Sequence, residues 1–342
     1  MTLTLRTIAA ADWHALSRTF RDLTFEQTRA YSEPAAARIG ATTRFVAVQR
    51  GGDVLALAAL RVRSLPGLRR CIIWCPAGPM VQPSAAPDPD PDTIAAILTA
   101  LRQQLVTTEG HILRLRFPGI AFHDETITAT AARAGFQPTT RAPLYKSYAV
   151  DLRQSQDDLM RHLNGKWRGN LRNALKSGLT VDRSTGNDLT ARFEAVFDAV
   201  QETKGFRPGI SAQFHRDCAA EDYRLETFVI CKDGVDLAAG MIVITGQNAN
   251  YLFGATNAAG RPLRAGYQLS WSMMLRGAEL GVVWFDLGGV DFDANPDVAG
   301  YKERIGGPFI QGAGPFEAAP PGVFPKLVNW LEDLRARLRP KS

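Results

Sequence analysis

Residues 226–256 read ETFVICKDGVDLAAGMIVITGQNANYLFGAT. Three apolar runs of strand length, ETFVICKD, AAGMIVITG and NANYLFGAT, are separated by Gly-bearing breaks at Asp233-Gly234 and Gly246. Runs rich in Val, Ile, Phe and Tyr with such turns between them predict a three-strand meander. A helical segment at 266–280 follows, then a strand, VVWFDLG, and a return through Ile305-Gly306-Gly307. The helices before this block are expected at about 155–177, ending at Gly178, and at about 188–204, after a strand AVDLRQ that begins past Tyr148.

The first half of the chain repeats this order. RFVAVQR, VLALAALRVRS and RCIIWCP form a second meander, with Gly51-Gly52-Asp53 as a hairpin signal. Asp92 is placed to cap an amphipathic helix, TIAAILTALRQQLVTT, after which come the strand HILRLRF and a helix over about 123–134 that stops at Gly135. Residues 92–136 match 266–307 in order and spacing without close identity, so the sequence predicts two related α+β domains. Ahead of the first meander, Trp13, Leu16, Phe20 and Leu23 at helical spacing predict one helix over roughly 12–38. The Pro-rich stretch PAGPMVQPSAAPDPDPD is expected mostly as a surface loop. A last helix, about 323–337, puts Phe324, Leu327, Leu331 and Leu334 on one face and is expected to dock on the first domain. The expected boundaries are 1–148 plus 318–342 for the first domain and 149–317 for the second.

At 342 residues, with 45% apolar and 22% charged residues, the chain has globular composition, which excludes disorder as its overall state. Charged residues interrupt every apolar run before the ~18 residues a membrane span needs. The N-terminal stretch lacks the pattern of a signal peptide, and a cytoplasmic protein without an amphipathic anchor is expected. Four cysteines (Cys71, Cys75, Cys218, Cys231) are too few for a disulfide framework and read as reduced thiols. The five histidines form no pair at ligand spacing, so no metal site is expected. No Gly-x-Ser-x-Gly elbow or phosphate-binding Walker loop is present.

The net charge of +6 permits an anionic partner, and its distribution matters more than its size. RHLNGKWRGNLRNALKSG, residues 161–178, contains no acid. Arg168, Arg172 and Lys176 recur every four residues along one side, with Lys166 nearby, while Leu163, Trp167, Leu171 and Leu175 line another. Like charges at this spacing repel, and an unrelieved basic stripe is better explained by RNA or nucleotide phosphates than by solvent alone. In NYLFGATNAAGRPLRAGYQLSW, residues 250–271, a basic loop with Arg261 and Arg264 leads into a helix start suited to anions. The loop partly resembles the Arg/Gln-x-x-Gly-x-Gly/Ala turn that holds coenzyme A pyrophosphate in acetyltransferases, with Arg264 in place of the central Gly. In FDLGGVDFDANPDVAGYKERIGGPF, residues 285–309, Asp286 ends a strand, Asp293 reads as a turn former, and Tyr301-Lys302 can place a cation where negative charge develops during acyl transfer.

Several of these segments together resemble the Fem peptidyltransferases. The resemblance covers roughly 20–335 and is carried by DLRQSQDDLMRHLNGKWRGNLRNALKSGLTV, YLFGATN, LSWSMMLRGAELGVVWFDLGGVD and GYKERIGG, with GPMVQP as a weaker match in the first half. It implies an α+β fold of two tandem GNAT-like (acyl-CoA N-acyltransferase fold) domains, here without the long coiled-coil arm of some members. It also implies transfer of an amino acid from aminoacyl-tRNA to an amine, on a peptidoglycan precursor stem peptide or on a small metabolite or peptide. No cofactor beyond the aminoacyl-tRNA donor is implied. By the same resemblance Tyr301 and Lys302 lie near the transferred acyl group, with Asp286 to orient the amine or take its proton. Tyr251 and Arg207 bind the acceptor by the same resemblance; the basic loop reading places Arg261 and Arg264 against substrate, and the basic stripe reading has Lys166, Arg168, Arg172 and Lys176 hold tRNA phosphates. Arg38 and Arg44 are candidates for precursor phosphates, and Ala77 stands where an Arg often precedes Gly-Pro. The implied acceptor is UDP- or lipid-linked, and a lipid-linked one would bring the protein transiently to the inner face of the membrane. Two other readings compete: an acyl-coenzyme A N-acyltransferase on the same double fold, and a non-catalytic RNA-binding relative.

Overall fold

The computed structural model describes residues 3–65, 67, 69–120, 124–204 and 209–338. In chain order the strands are β1 (Thr4–Thr7), β2 (Thr42–Arg50), β3 (Asp53–Ser64), β4 (Cys71–Cys75), β5 (Ile112–Leu115), β6 (Gln137–Pro138), β7 (Lys146–Asp151), β8 (Thr180–Ser184), β9 (Arg224–Lys232), β10 (Val235–Thr245), β11 (Asn248–Thr256), β12 (Trp284–Asp286), β13 (Phe309–Gln311) and β14 (Phe316–Ala318). The helices are α1 (Ala10–Ser17), α2 (Arg29–Ala37), α3 (Pro91–Arg102), α4 (Asp124–Arg133), α5 (Gln156–His162), α6 (Gly165–Leu175), α7 (Thr190–Lys204), α8 (Ala212–Asp217), α9 (Ala265–Glu279), α10 (Pro296–Glu303) and α11 (Val323–Leu338). They form two compact units. One comprises Met1–Phe20, Ser32–Leu144 and Gly312–Ser342; the other comprises Arg21–Tyr31 and Tyr145–Gln311.

The first unit is built on a sheet of order β1-β2-β3-β4-β5-β14-β6, and the second on β13-β7-β12-β11-β10-β9-β8. Read from opposite ends, the two sheets correspond strand for strand. Each has an antiparallel meander and one parallel pair, β4 with β5 and β11 with β12. The place next to the parallel pair is taken by β14 in the first sheet and by β7 in the second. Pairing of these two strands, which the apolar pattern does not encode, sets the unit limits at 144/145 and 311/312 where the sequence suggests 148/149 and 317/318.

The first core gathers Val46, Leu60, Ile73 and Leu115 from the sheet with Ile97, Leu101 and Phe136 from the elements against it. α3 is capped by Asp90, whose Oδ1 accepts from Thr93 N at 2.6 Å, rather than by Asp92, because Pro91 already occupies the first helical turn. The single helix expected over 12–38 is instead α1, a 3-10 turn at Phe25–Gln27, and α2, since Thr24 and Thr28 take extended backbone on either side of that turn. The stretch after β4 is not all surface: Ala77, Met80 and Val81 are buried. Met80 exchanges hydrogen bonds with Leu57 of β3, and Gly78 N donates to Arg116 O, so this segment crosses the place where β4 would continue. α11 rests on this unit through Phe324 and Val328, which pack with Ile112.

In the second unit, α6 and α9 cover one face of the sheet, with Trp167, Leu171, Leu269 and Met273 against Phe228, Ile242 and Phe285. Phe193 and Phe197 of α7 stack on each other and meet Phe253 of β11 edge-on. Gly240 permits the close approach of α9, because a Cβ there would meet Met273 Cε at 2.5 Å. The helix expected over 155–177 is two helices. Leu163 takes extended ψ, and Asn164 restarts the helix by accepting from Lys166 N at 3.0 Å. Asn164→Ala is therefore expected to lower the unfolding free energy by ~1 kcal/mol in a denaturant titration. Leu175, expected on the apolar side of α6, is exposed.

Candidate active site

The second unit holds the site because of how its parallel strands part. β11 and β12 are hydrogen bonded only from Asn248, Ala249 and Asn250 to Trp284, Phe285 and Asp286. Beyond this point β11 runs on to Thr256 while β12 ends, and a cleft of about 840 Å³ opens between them. Its walls are Tyr251–Thr256, the start of α9 (Gly266, Tyr267, Ser270), the loop at Leu287 and Gly289, and Val298, Tyr301 and Lys302 of α10. Arg261 and Arg264 stand at its edge. The sequence thus brings Tyr251, Arg261, Arg264, Tyr301 and Lys302 together around one cleft. Arg207 lies outside the described residues.

Among the described residues Lys302 has no carboxylate in direct contact. Its Nζ donates to Gly288 O (3.0 Å) and Gly289 O (2.9 Å) and lies 5.8 Å from the centre of the Tyr251 ring. Two of its three N–H donors are used by these carbonyls, which leaves one for a ligand. Burial pushes its pKa down to about 8, and Asp286 opposes that fall electrostatically. Gly288 makes the arrangement possible: its φ is +78°, and a Cβ would lie 2.4 Å from Tyr251 O.

Asp286 is buried and does not line the cleft. Its Oδ1 accepts from Gly288 N at 2.8 Å and from Ser147 Oγ at 2.5 Å, and its Oδ2 accepts from Tyr145 Oη at 2.9 Å. Burial raises its pKa, and the three hydrogen bonds work against that rise. The carboxylate therefore fastens the Gly288 turn whose carbonyl holds Lys302. Asp291, rather than Asp293, forms the next turn, accepting from Asp293 N and Ala294 N.

Tyr301 Oη donates to Gly266 O at 2.9 Å and sits 3.0 Å from Ser270 Oγ. Its ring packs on Tyr267 and Trp167, and burial raises the pKa of this phenol and, to about 12, that of Tyr251, which is also bonded to Ser270. Both phenols stay neutral near pH 7. Gly254 makes room for Tyr251, since a Cβ there would fall 1.5 Å from the phenol oxygen. Gly254→Ala is expected to displace that ring from the cleft and to lower the unfolding free energy by ~1–3 kcal/mol in a denaturant titration. Ser147, Tyr145 and Ser270 were not singled out by the sequence. Only strand pairing across the sheet puts the first two beside Asp286, and Ser270 reads simply as part of an amphipathic helix.

At the edge of the cleft, Arg264 holds φ +60°, the left-handed backbone that a glycine would favour. The loop thus keeps the turn expected of an anion-binding Gly position while carrying a guanidinium. Of the four basic residues on α6 and at its C-cap, Lys166, Arg172 and Lys176 are exposed and have no ion pair among the described residues. Arg168 is tied down, donating to Arg161 O and Leu163 O at the end of α5. On the opposite side of this helix Trp167 packs against Tyr267 and Tyr301, so α6 adjoins the cleft wall. In the first unit Arg44 is bound to Glu109. Among the described residues no cluster of His, Cys, Asp or Glu is arranged to hold a metal ion.

Residues 162–303 match the acetyltransferase (GNAT) domain family. No curated protein matches the chain. Among solved structures, the chain is similar to FemX, with a TM-score of 0.77 and 16% identity over 92% of this chain and 97% of that one. It is also similar to a conserved protein of unknown function from Bacteroides thetaiotaomicron, with a TM-score of 0.57 and 11% identity over 93% and 99% of the two chains. A third similar structure is the C-terminal domain of a protein described as a lysylphosphatidylglycerol synthetase from Agrobacterium fabrum, with a TM-score of 0.51 and 15% identity over 94% and 95%. The fold is α+β with two tandem GNAT-like units, and the described residues contain no long coiled coil.

Proposed function

We propose that the protein is an aminoacyltransferase that takes an amino acid from aminoacyl-tRNA and joins it to an amine. The acceptor is a peptidoglycan precursor stem peptide or a small metabolite or peptide amine. The observation that carries this reading is Lys302: an ammonium held by two carbonyls in the wall of the β11–β12 cleft, with one donor free. An aminoacyl ester is already activated, so its transfer calls for no nucleotide triphosphate and no further cofactor. The neutral amine nitrogen attacks the ester carbonyl, the C–O bond to the ribose oxygen breaks, and the amine proton ends on that oxygen. Lys302 stabilises negative charge on the carbonyl oxygen and on the departing oxygen, an effect worth ~3–4 kcal/mol for one well-placed donor. Tyr301 and Tyr251 shape the acyl pocket, and Asp286 positions Lys302 through the Gly288 turn.

The free cations of α6 support tRNA as the donor's carrier. Replacing Arg172 and Lys176 together by Gln is expected to weaken tRNA binding at low salt. It should also flatten the slope of log K against log salt by roughly 1.5 in a filter-binding series. A second reading is favoured by Arg264: with its left-handed backbone ahead of Gly266, the α9 start retains an anion-binding turn suited to the pyrophosphate of an acyl-coenzyme A. The deciding experiment is label transfer from a pool of charged tRNAs, each carrying one radiolabelled amino acid, with and without ribonuclease. Ribonuclease-sensitive formation of an amide supports the tRNA reading. Consumption of an acyl-coenzyme A with no transfer from any tRNA replaces it by the second.

A further inference from the structure

The last described helix, α11, has one broad apolar side, and only one edge of it is used. Phe324 and Val328 are buried against Ile112, Ile72 and Leu65 of the first unit. The rest of that side, formed by Val323, Leu327, Trp330, Leu331, Leu334 and Leu338 at three- and four-residue spacing, is left in solvent, each residue between 39% and 77% exposed. A run of six exposed large apolar side chains on one helix is a binding face rather than scattered surface.

Charge indicates the occupant. The helix contains two acids, Glu332 and Asp333, and both turn onto arginines of the first unit. Glu332 binds Arg114 at 2.8 Å, and Asp333 binds Arg141 at 2.9 Å. Lys326 and Arg335 remain exposed with no acidic partner among the described residues, while exposed Arg337 has Asp333, one turn earlier, as an acidic neighbour. The free surface of α11 is therefore an apolar stripe, with a tryptophan in it, whose unpaired charges are positive. No described helix is long and apolar enough to cross a bilayer. A helix of this pattern lies in the plane of a membrane surface, its apolar side among the acyl chains and its cations against anionic headgroups.

We propose that α11 is a membrane-surface docking helix that places the protein on anionic lipid. The proposal departs from the sequence expectation of no amphipathic anchor: of Phe324, Leu327, Leu331 and Leu334, expected to dock on the first domain, Phe324 is buried there together with Val328, and the three leucines are exposed. The inference does not depend on the transfer chemistry, although it suits an acceptor carried on a lipid.

The test is co-sedimentation of the whole protein with vesicles of phosphatidylcholine containing phosphatidylglycerol, against vesicles of phosphatidylcholine alone. Binding is expected to the anionic vesicles, to weaken as salt is raised, and to fall at least about tenfold in a Trp330→Ser, Leu334→Ser double variant. Both positions are solvent-exposed, so the variant should keep the wild-type melting curve. A Lys326→Gln, Arg335→Gln pair should lose the preference for anionic vesicles while retaining the fold. The proposal is overturned if the wild type fails to sediment with anionic vesicles at low salt, or if the serine variant binds them equally well. It is also overturned if sedimentation equilibrium shows a dimer that the serine variant dissociates, which would assign the stripe to a second copy of the chain.

Discussion

Lys302→Met is expected to lower the turnover of acyl transfer by ~10²–10³-fold while leaving donor binding within a few-fold of wild type. The reason is geometric. Lys302 is fixed by Gly288 O and Gly289 O at the wall of the cleft, and its remaining donor is the cation available to charge forming on the reacting carbonyl. Its pKa of about 8 gives a second, independent signature. A role as ammonium makes wild-type turnover fall above pH 8 as the proton is lost, and this limb should vanish in the methionine variant. A role as neutral base would make turnover rise through the same pH. Linkage fixes the accompanying stability change. The folded state depresses the pKa from 10.5, so it disfavours the charged form. The variant should then be the more stable protein below pH 8, with its advantage shrinking as pH climbs from 8 towards 10.5. Thermal melts at several pH values measure this directly.

Asp286 is the second site where a large effect is expected, and the two substitutions there should separate. Asp286→Ala removes the buried acceptor shared by the Ser147 hydroxyl, the Gly288 N–H and the Tyr145 hydroxyl; Ser147 can turn to Gly288 O at 2.8 Å, while the Gly288 N–H loses the carboxylate that fixes its turn. The cost is ~3 kcal/mol or more of folding stability, with loss of the turn that holds Lys302. Asp286→Asn keeps an oxygen for Gly288 N and Ser147, and the Tyr145 hydroxyl can rotate to accept from the new amide. Turnover of the Asn variant is therefore expected within about tenfold of wild type, with a shift in the alkaline limb because the charge opposing Lys302 deprotonation is gone. If Asp286 instead took the proton from the amine, Asn would be as damaging as Ala. Chemical denaturation combined with a pH–rate profile on both variants distinguishes a positioning carboxylate from a base.

Much of the fold could be read from the chain because local signals agree with the tertiary arrangement. The meander at 226–256, the hairpin at Gly51-Gly52 and the helix-strand order of 92–136 and 266–307 all have the periodicity of the elements they form. What could not be read depends on pairing at a distance. Neither β7 nor β14 carries a mark of the sheet it joins, so the chain divides a few residues from the expected limits and segment 21–31 counts with the second unit. The break at Leu163-Asn164 was hidden because basic and apolar residues keep helical spacing across it, although Asn164 is a good N-cap. Around the cleft, Tyr301 and Lys302 were legible as an adjacent aromatic-cation pair, and Tyr251 only through the family resemblance; all three line it. The role of Asp286 was not legible, because its partners Ser147 and Tyr145 arrive from β7 and the residue just before it, about 140 positions away along the chain. The Pro-rich stretch misled for a similar reason: where the second unit opens a cleft, the first passes Ala77, Met80 and Val81 through its interior.

The central claim is that the acyl group reacts beside Lys302 in the β11–β12 cleft. The most direct test is amine labelling of Lys302, followed by mass spectrometry, with and without a tRNA bearing an amide-linked, non-transferable aminoacyl group. With its pKa near 8, Lys302 should label faster than the exposed lysines of the free protein at pH 8. The account predicts that the aminoacylated analogue slows this labelling strongly, whereas the same tRNA without an amino acid slows it little. Unchanged labelling of Lys302 under saturating analogue would contradict it, because the donor would then be reacting elsewhere.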